Sequence, residues 1–202
     1  MSSTVALLAL QGAFIEHRKK LESLGATCFE IRNAADLERP FDRLVLPGGE
    51  STVQAKLLRD LGLLEPLKKR IEDGLPVLAT CAGLILLAQT VDSTGDLDRL
   101  DPRAAERRLA VTGLQTLPVT VRRNAYGRQL GSFFTRAPFG DLGEVPMTFI
   151  RAPFITKAEP GVDVLATVDD RIVGVRYENQ LAMAFHPELD DDSRIHELFL
   201  SL

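Results

Sequence analysis

The chain has 202 residues, 45% of them hydrophobic and 26% charged, a balance that excludes disordered and collagen-like chains and suits a protein with a full core. Its 24 Lys and Arg against 28 Asp and Glu leave a net charge of −4, which argues against a protein devoted to nucleic acid or to an anionic membrane surface. The longest apolar stretches, Val5 to Leu10 and Leu84 to Ala88, fall far short of the about 20 residues that span a bilayer. No targeting segment opens the chain, so a cytoplasmic location is expected. A single domain over residues 1–202 is expected as well, since α/β folds of this size commonly form one unit.

The N-terminal two-fifths alternates β-rich runs with helical patterns, the mark of βαβ units and a parallel sheet covered by helices. Val5 to Leu10 is apolar throughout, as a strand buried on both faces requires. Gln11-Gly12 ends it, and Phe14, Leu21 and Leu24 then recur at helical spacing up to Gly25. Thr27 to Ile31 and Arg43 to Leu46 read as strands, the latter breaking at Pro47-Gly48-Gly49 before a helix with an apolar stripe of Val53, Leu57, Leu61 and Leu64. Leu75 to Thr80 is a fourth strand, with a helix from about Gly83. Asp92 to Arg108 is a polar surface excursion in which Asp101-Pro102 can start a short helix. Leu117 to Arg122, Met147 to Arg151, Val164 to Val168, Arg171 to Val175 and Leu181 to Phe185 then read as short strands, antiparallel or mixed additions to the sheet. Ile195, Leu198, Phe199 and Leu202 form one face of a closing helix.

Three segments carry chemistry. Cys81 stands between a strand and a helix in Ala79-Thr80-Cys81-Ala82-Gly83, where small neighbours permit the sharp turn that lifts a nucleophile out of a sheet. A thiol at a helix N-terminus gains thiolate character, whereas the plainer reading is a small buried core residue. In Phe185-His186-Pro187-Glu188 an extended backbone would put His186 and Glu188 on one face, so that the carboxylate orients an imidazole that takes a thiol proton. A loop histidine beside a solvated glutamate is the alternative. Gly48-Gly49 let backbone N–H groups approach a ligand, as an oxyanion hole requires, or simply make a turn before a capped helix. No glycine pattern matches a nucleotide site, and Cys28 and Cys81 share no metal-ligand spacing. Cys28 reads as a core thiol. His196 reads as solvent-facing or packed in the last helix, and His17 as facing either the pocket mouth, a partner or solvent.

These segments resemble the class I, triad-type glutamine amidotransferases, and within them the glutaminase subunits of pyridoxal 5'-phosphate synthase. The blocks that carry the resemblance are Leu8-Ala9-Leu10-Gln11-Gly12 with Glu16-His17, Leu46 to Thr52, Thr80 to Leu84, Arg123-Asn124-Ala125-Tyr126-Gly127-Arg128-Gln129, Phe149 to Pro153, and Phe185 to Leu189. In that order they span essentially the whole chain. The resemblance implies a three-layer, flavodoxin-like α/β fold whose mostly parallel central sheet is flanked by helices and carries a nucleophile elbow. It implies Cys81 as nucleophile, His186 as base and Glu188 as its orienting partner. Gly48, Gly49, Glu50, Arg123, Ile150 and Arg151 would bind L-glutamine.

The implied reaction is hydrolysis of L-glutamine to glutamate and ammonia with no metal or organic cofactor. The ammonia would pass to a synthase subunit that builds pyridoxal 5'-phosphate from ribose 5-phosphate and glyceraldehyde 3-phosphate, in a complex of twelve copies of each subunit. Partner docking near Gln11-Gly12 is expected to align the Gly48-Gly49 segment. The sequence departs from the pattern at Ala79, where glycine is usual, and in the length of the Asp92 to Arg108 excursion. A different cysteine hydrolase of peptidase type and a catalytically silent regulatory subunit remain alternatives.

Overall fold

The computed structural model describes residues 3–92, 112–123 and 132–202. Its first half contains β1 (Thr4–Leu8), α1 (Phe14–Ser23), β2 (Thr27–Ile31), β3 (Arg43–Leu46), α2 (Ser51–Asp60), α3 (Leu64–Glu72), β4 (Val77–Thr80), α4 (Ala82–Leu87) and β5 (Ala88–Asp92). The second half is mostly strand: β6 (Leu117–Arg122), β7 (Ser132–Pro138), β8 (Glu144–Ile150), β9 (Phe154–Ala158), β10 (Asp163–Val168), β11 (Arg171–Tyr177) and β12 (Gln180–Met183), closed by α5 (Arg194–Leu200).

The main sheet runs β2-β1-β3-β4-β12-β11-β9-β6-β5, with β10 paired to β11. Every pairing from β2 to β12 is parallel. The chain then doubles back, because β11 lies antiparallel to β12 and to β9, and β9 antiparallel to β6. β7 and β8 form a separate antiparallel ribbon. Val5 to Leu8, Leu44 to Leu46 and Val77 to Ala79 are all 0% exposed, which is why these strands read as unbroken apolar runs. Strand β12 begins with Gln180, whose amide side chain is buried but bonded to Thr116.

The apolar stripe expected of the second helix is corrected by the structure. Helix α2 ends at Asp60, the chain turns through Gly62 at φ 67°, and Leu64 starts a separate helix. The buried face of α2 is Ser51, Gln54, Ala55 and Leu58, and Val53 is 43% exposed. Periodicity favoured the apolar residues and passed over Gln54, which is buried because its Nε2 donates to the carbonyls of Gln11 and Pro47 at 2.8 and 3.2 Å. The strands β5, β7 and β9 were not legible either. In β7 only Ala137 is buried, so the segment shows no apolar alternation. The Asn124–Gln129 block and residues 93–108 of the polar excursion lie outside the described residues.

Close packing of α4 on β3 depends on Gly83, since a Cβ there would lie 2.1 Å from the Leu46 carbonyl oxygen. That neighbour is strand backbone and has little freedom to move. Gly83→Ala is therefore expected to cost about 1–3 kcal/mol, the usual range for overpacking. A chemical-denaturation midpoint indistinguishable from wild type would show that the helix shifts freely.

Candidate active site

In a parallel sheet the loops at the carboxyl ends of the strands meet, and β1, β3, β4 and β12 all point the same way. Their following segments enclose a cavity of about 440 Å³. Gln11, Gly12 and Ala13 after β1, Gly48 to Ser51 after β3, Cys81 and Ile85 after β4, and His186 after β12 line it. Arg123, Ile150, Arg151 and Pro153 complete the wall. Cys81, His186, Gly48, Gly49, Glu50, Arg123, Ile150 and Arg151, singled out in the sequence, thus share one cavity, and Glu188 lies behind His186.

Cys81 has φ 48° and ψ −97°, a conformation that an L-residue adopts only under constraint. The constraint is backbone pairing: Cys81 N donates to the Met183 carbonyl at 2.8 Å, which ties the turn to the neighbouring strand. The result is a thiol raised at the end of β4 and only 7% exposed. Cys28 lies in β2, away from the cavity, and burial pushes its thiol up to about 11.

The backbone around His186 is not extended into Glu188 as expected. Residues Pro187–Leu189 form a 3-10 turn, with His186 at φ −114° and ψ 82°. The turn still delivers the expected pairing, with His186 Nδ1 2.7 Å from Glu188 Oε1. Burial by itself pushes the His186 imidazole down, but its hydrogen bonds to Cys81 and Glu188 and the Glu188 charge outweigh that and raise it to about 10. Burial likewise opposes ionisation of Glu188, yet the His17 and His186 rings hold its carboxyl below the usual carboxylate range. With Nδ1 committed to Glu188, the bond to the thiol falls to Nε2.

The Gly48-Gly49 segment is crowded from both sides. A Cβ on Gly48 would come within 2.3 Å of the His186 ring, and one on Gly49 within 2.4 Å of Gln11 Oε1. Gly48 N donates to Thr80 Oγ1 at 3.0 Å, Ala13 N donates to the Gly48 carbonyl at 3.0 Å, and Glu50 N donates to Gln11 Oε1 at 2.7 Å. Glu50 caps α2 by accepting from Thr52 N and Val53 N at 3.2 and 2.7 Å. Burial opposes its ionisation, but those backbone hydrogen bonds and Arg123 win and lower its pKa. Arg123 Nη2 stands 3.5 Å from Glu50 Oε1, so a carboxylate and a guanidinium face the same space. Arg151 also has a left-handed backbone, at φ 44°.

Sequence reasoning missed three polar residues of the site floor. His17 is 0% exposed rather than at the pocket mouth or the helix surface, with Nε2 3.2 Å from Thr80 Oγ1 and 3.3 Å from Glu188 Oε2. His196 is also fully buried, its Nε2 3.0 Å from His17 Nδ1. Thr80 is the third. The signal for His17 was present, since it falls three residues after Phe14 and four before Leu21, on the helix stripe that faces the sheet. Among the described residues no group of three or more His, Cys, Asp or Glu side chains is placed to hold a metal ion, and no helix is long and apolar enough to cross a membrane.

The parallel sheet with a cysteine at the strand-to-helix turn is the class I glutamine amidotransferase fold. A solved structure described as a glutamine amidotransferase superposes with a TM-score of 0.84 at 39% identity, covering 98% of this chain and 97% of that one. The structure of PurLQS from Thermotoga maritima shares the fold at 14% identity, with a TM-score of 0.68 over 100% of this chain and 99% of that one. The chain belongs to the SNO glutamine amidotransferase family, whose sequence model matches residues 7–202. Among its relatives, the pyridoxal 5'-phosphate synthase subunit PdxT of Desulfitobacterium hafniense (strain Y51) is 56% identical over 97% of this chain and 91% of its own length. The PdxT subunit of Methanocorpusculum labreanum is 50% identical over 98% of this chain and 96% of its own length.

The electrostatics of His186 carry a signed consequence for stability. Its folded pKa of about 10 lies above the ordinary 6.5, so folding favours the imidazolium. That contribution is complete below about pH 6.5 and is lost as pH rises through about 10. The stability difference between wild type and His186→Asn, read from urea midpoints, should therefore shrink across that window. A difference constant with pH would mean that the imidazole is not held charged.

Proposed function

We propose that this chain hydrolyses the side-chain amide of L-glutamine and hands the ammonia to a pyridoxal 5'-phosphate synthase subunit. The observation that carries the reading is the alignment of a constrained cysteine, a histidine and a buried glutamate at the cavity wall, with His186 bonded to Glu188 at 2.7 Å. The Cys81 sulfur attacks the amide carbon as a thiolate paired with the His186 imidazolium, and the carbonyl π electrons move to oxygen. The Gly49 backbone N–H stabilises that oxyanion once the Gly48-Gly49 peptide is turned toward the cavity, the Gly48 N–H being held by Thr80 Oγ1. Collapse of the intermediate breaks the C–N bond while His186 gives its proton to the departing ammonia, leaving a glutamyl thioester on Cys81. His186, now neutral, takes a proton from water, which attacks the thioester and releases glutamate and the thiolate. Glu188 holds the ring in its working tautomer throughout.

Glu50 and Arg123 offer opposite charges to the ammonium and carboxylate ends of an amino acid, and Ile150 and Arg151 bound the same space. No step needs a metal or an organic cofactor. In the cell, the proposed setting is a cytoplasmic complex of twelve copies of each subunit.

The oxyanion segment also supports partner control. The Gly48 N–H is committed to Thr80 Oγ1, and the Gly48 carbonyl accepts from Ala13 N. Turning the Gly48-Gly49 peptide breaks the Ala13 bond, so a partner that rearranges Gln11 to Ala13 biases the oxyanion hole. Large exposed apolar side chains flank these segments, with Ile15 48%, Val53 43% and Ile150 39% exposed, as a docking surface requires.

Cys81→Ala is expected to abolish ammonia release with little loss of folding, and Cys28→Ala to leave it near wild type. His186→Asn should lose more than Glu188→Gln, each by at least about 100-fold. Activity retained in Cys81→Ala, or equal effects of the two cysteine changes, would refute the assignment. The isolated chain should turn over glutamine slowly and accelerate with saturating synthase subunit. Full activity alone, unchanged by the partner, would favour a stand-alone amidase.

A further inference from the structure

We propose that His17 is a positioning residue of the catalytic site, its Nε2–H anchoring the second carboxylate oxygen of Glu188 so that the first stays aimed at His186. The inference rests on the reading of Cys81, His186 and Glu188 as the catalytic line. Glu188 is 5% exposed, and its Oε1 is taken by His186. Its Oε2 is buried with no hydrogen-bond partner, and His17 Nε2, bonded to Thr80 Oγ1 at 3.2 Å, stands 3.3 Å from it. A carboxylate oxygen shut away from water needs a donor, and a slight rotation of either side chain supplies one.

Burial lowers the His17 pKa below its ordinary 6.5 despite the nearby Glu188. A neutral ring carries one proton on two nitrogens. Nε2 faces Glu188 Oε2 and Thr80 Oγ1, whereas Nδ1 faces His196 Nε2 at 3.0 Å. A proton on Nδ1 would leave a ring lone pair directed at a buried carboxylate, which is costly in a dry site. The proton therefore sits on Nε2, Nδ1 accepts from His196 Nε2–H, and His196 Nδ1 is left as a bare acceptor. His196 Nδ1 is indeed buried without a partner. Burial pushes His196 down to about 2, so it too stays neutral.

The charged and titratable groups around His17 come from several elements. Glu16 and Lys20 belong to α1, His186 and Glu188 to the turn after β12, and His196 to α5, while the polar Thr80 hydroxyl comes from β4. Lys20, one turn along α1, donates to the carbonyls of Pro187 and Asp192 at 3.0 Å each and to that of Asp190. One helix face thus grips the segment bearing Glu188 at two points. The same helix begins directly after Ala13, whose N–H holds the Gly48 carbonyl.

The test uses the chain bound to its synthase subunit, comparing His17→Leu, which removes both nitrogens, with His17→Gln, whose Nε2 can stand in for the ring Nε2–H. His17→Leu should lose kcat by about 10- to 100-fold, the usual effect of removing such support, with KM little changed. Its alkaline limb, where the His186 imidazolium is lost, should move to lower pH, and His17→Gln should restore both. Wild-type kcat in His17→Leu, or equal losses in both variants with the limb unmoved, would overturn the proposal. The chain has only 3 histidines, so ¹⁵N-histidine spectra of the wild type give a measurement independent of any variant. A neutral Nε2–H tautomer at His17 supports the proposal and an Nδ1–H tautomer refutes it. Absence of glutamine hydrolysis in wild type would instead remove the reading of the catalytic line itself.

Discussion

The backbone of Cys81, held at φ 48° and ψ −97°, is the constraint on which the rest of the site depends. An L-residue reaches that conformation at a cost of order 1–3 kcal/mol, and it persists only if the surroundings over-determine it. They do so from three sides. The Cys81 N–H is fixed by Met183 on the adjacent strand, α4 packs against β3 through Gly83, and the parallel strands on both sides are fully buried. The stored strain is thus offset by a core that has no alternative packing for the turn.

A second constraint is the disposal of charge in a dry space. Three histidines and a glutamate, all buried, lie within a few ångströms under the cavity. The arrangement that burial and the nearby partners favour puts no like charges in contact. His186 carries a proton because Glu188 and Cys81 stabilise it, while His17 and His196 are kept neutral by burial. Glu188 is the hub, and the direction of its shift shows that its partners outweigh desolvation. Replacing one member alone would strand another, which is why these residues are expected to act as a unit in mutational series.

Much of this was legible in the sequence, for physical reasons. The parallel strands showed because burial on both faces leaves apolar runs, and the turn at Cys81 showed because only small residues fit around it. The cavity residues Gly48, Gly49, Glu50, Arg123, Ile150 and Arg151 were named through a resemblance, and the fold brings them together. What escaped was polar burial. Gln54, Thr80, His17 and His196 are buried because each finds hydrogen-bond partners from distant segments; the stripe of α1 marks His17 for burial and packing was one reading of His196, but no local pattern announces the partners themselves. The geometry of the His186–Glu188 pairing escaped as well, because a 3-10 turn and an extended pair can deliver the same contact.

The proposed chemistry depends above all on Cys81 Sγ as the atom that bonds to substrate carbon. The most direct measurement is mass-spectrometric mapping after treating the synthase-bound chain with a glutamine analogue that carries a diazoketone in place of the amide. A single adduct on Cys81, suppressed by excess L-glutamine and slowed in His186→Asn, is the predicted result. An adduct on Cys28, or none on Cys81 under conditions where glutamine is hydrolysed, would contradict it.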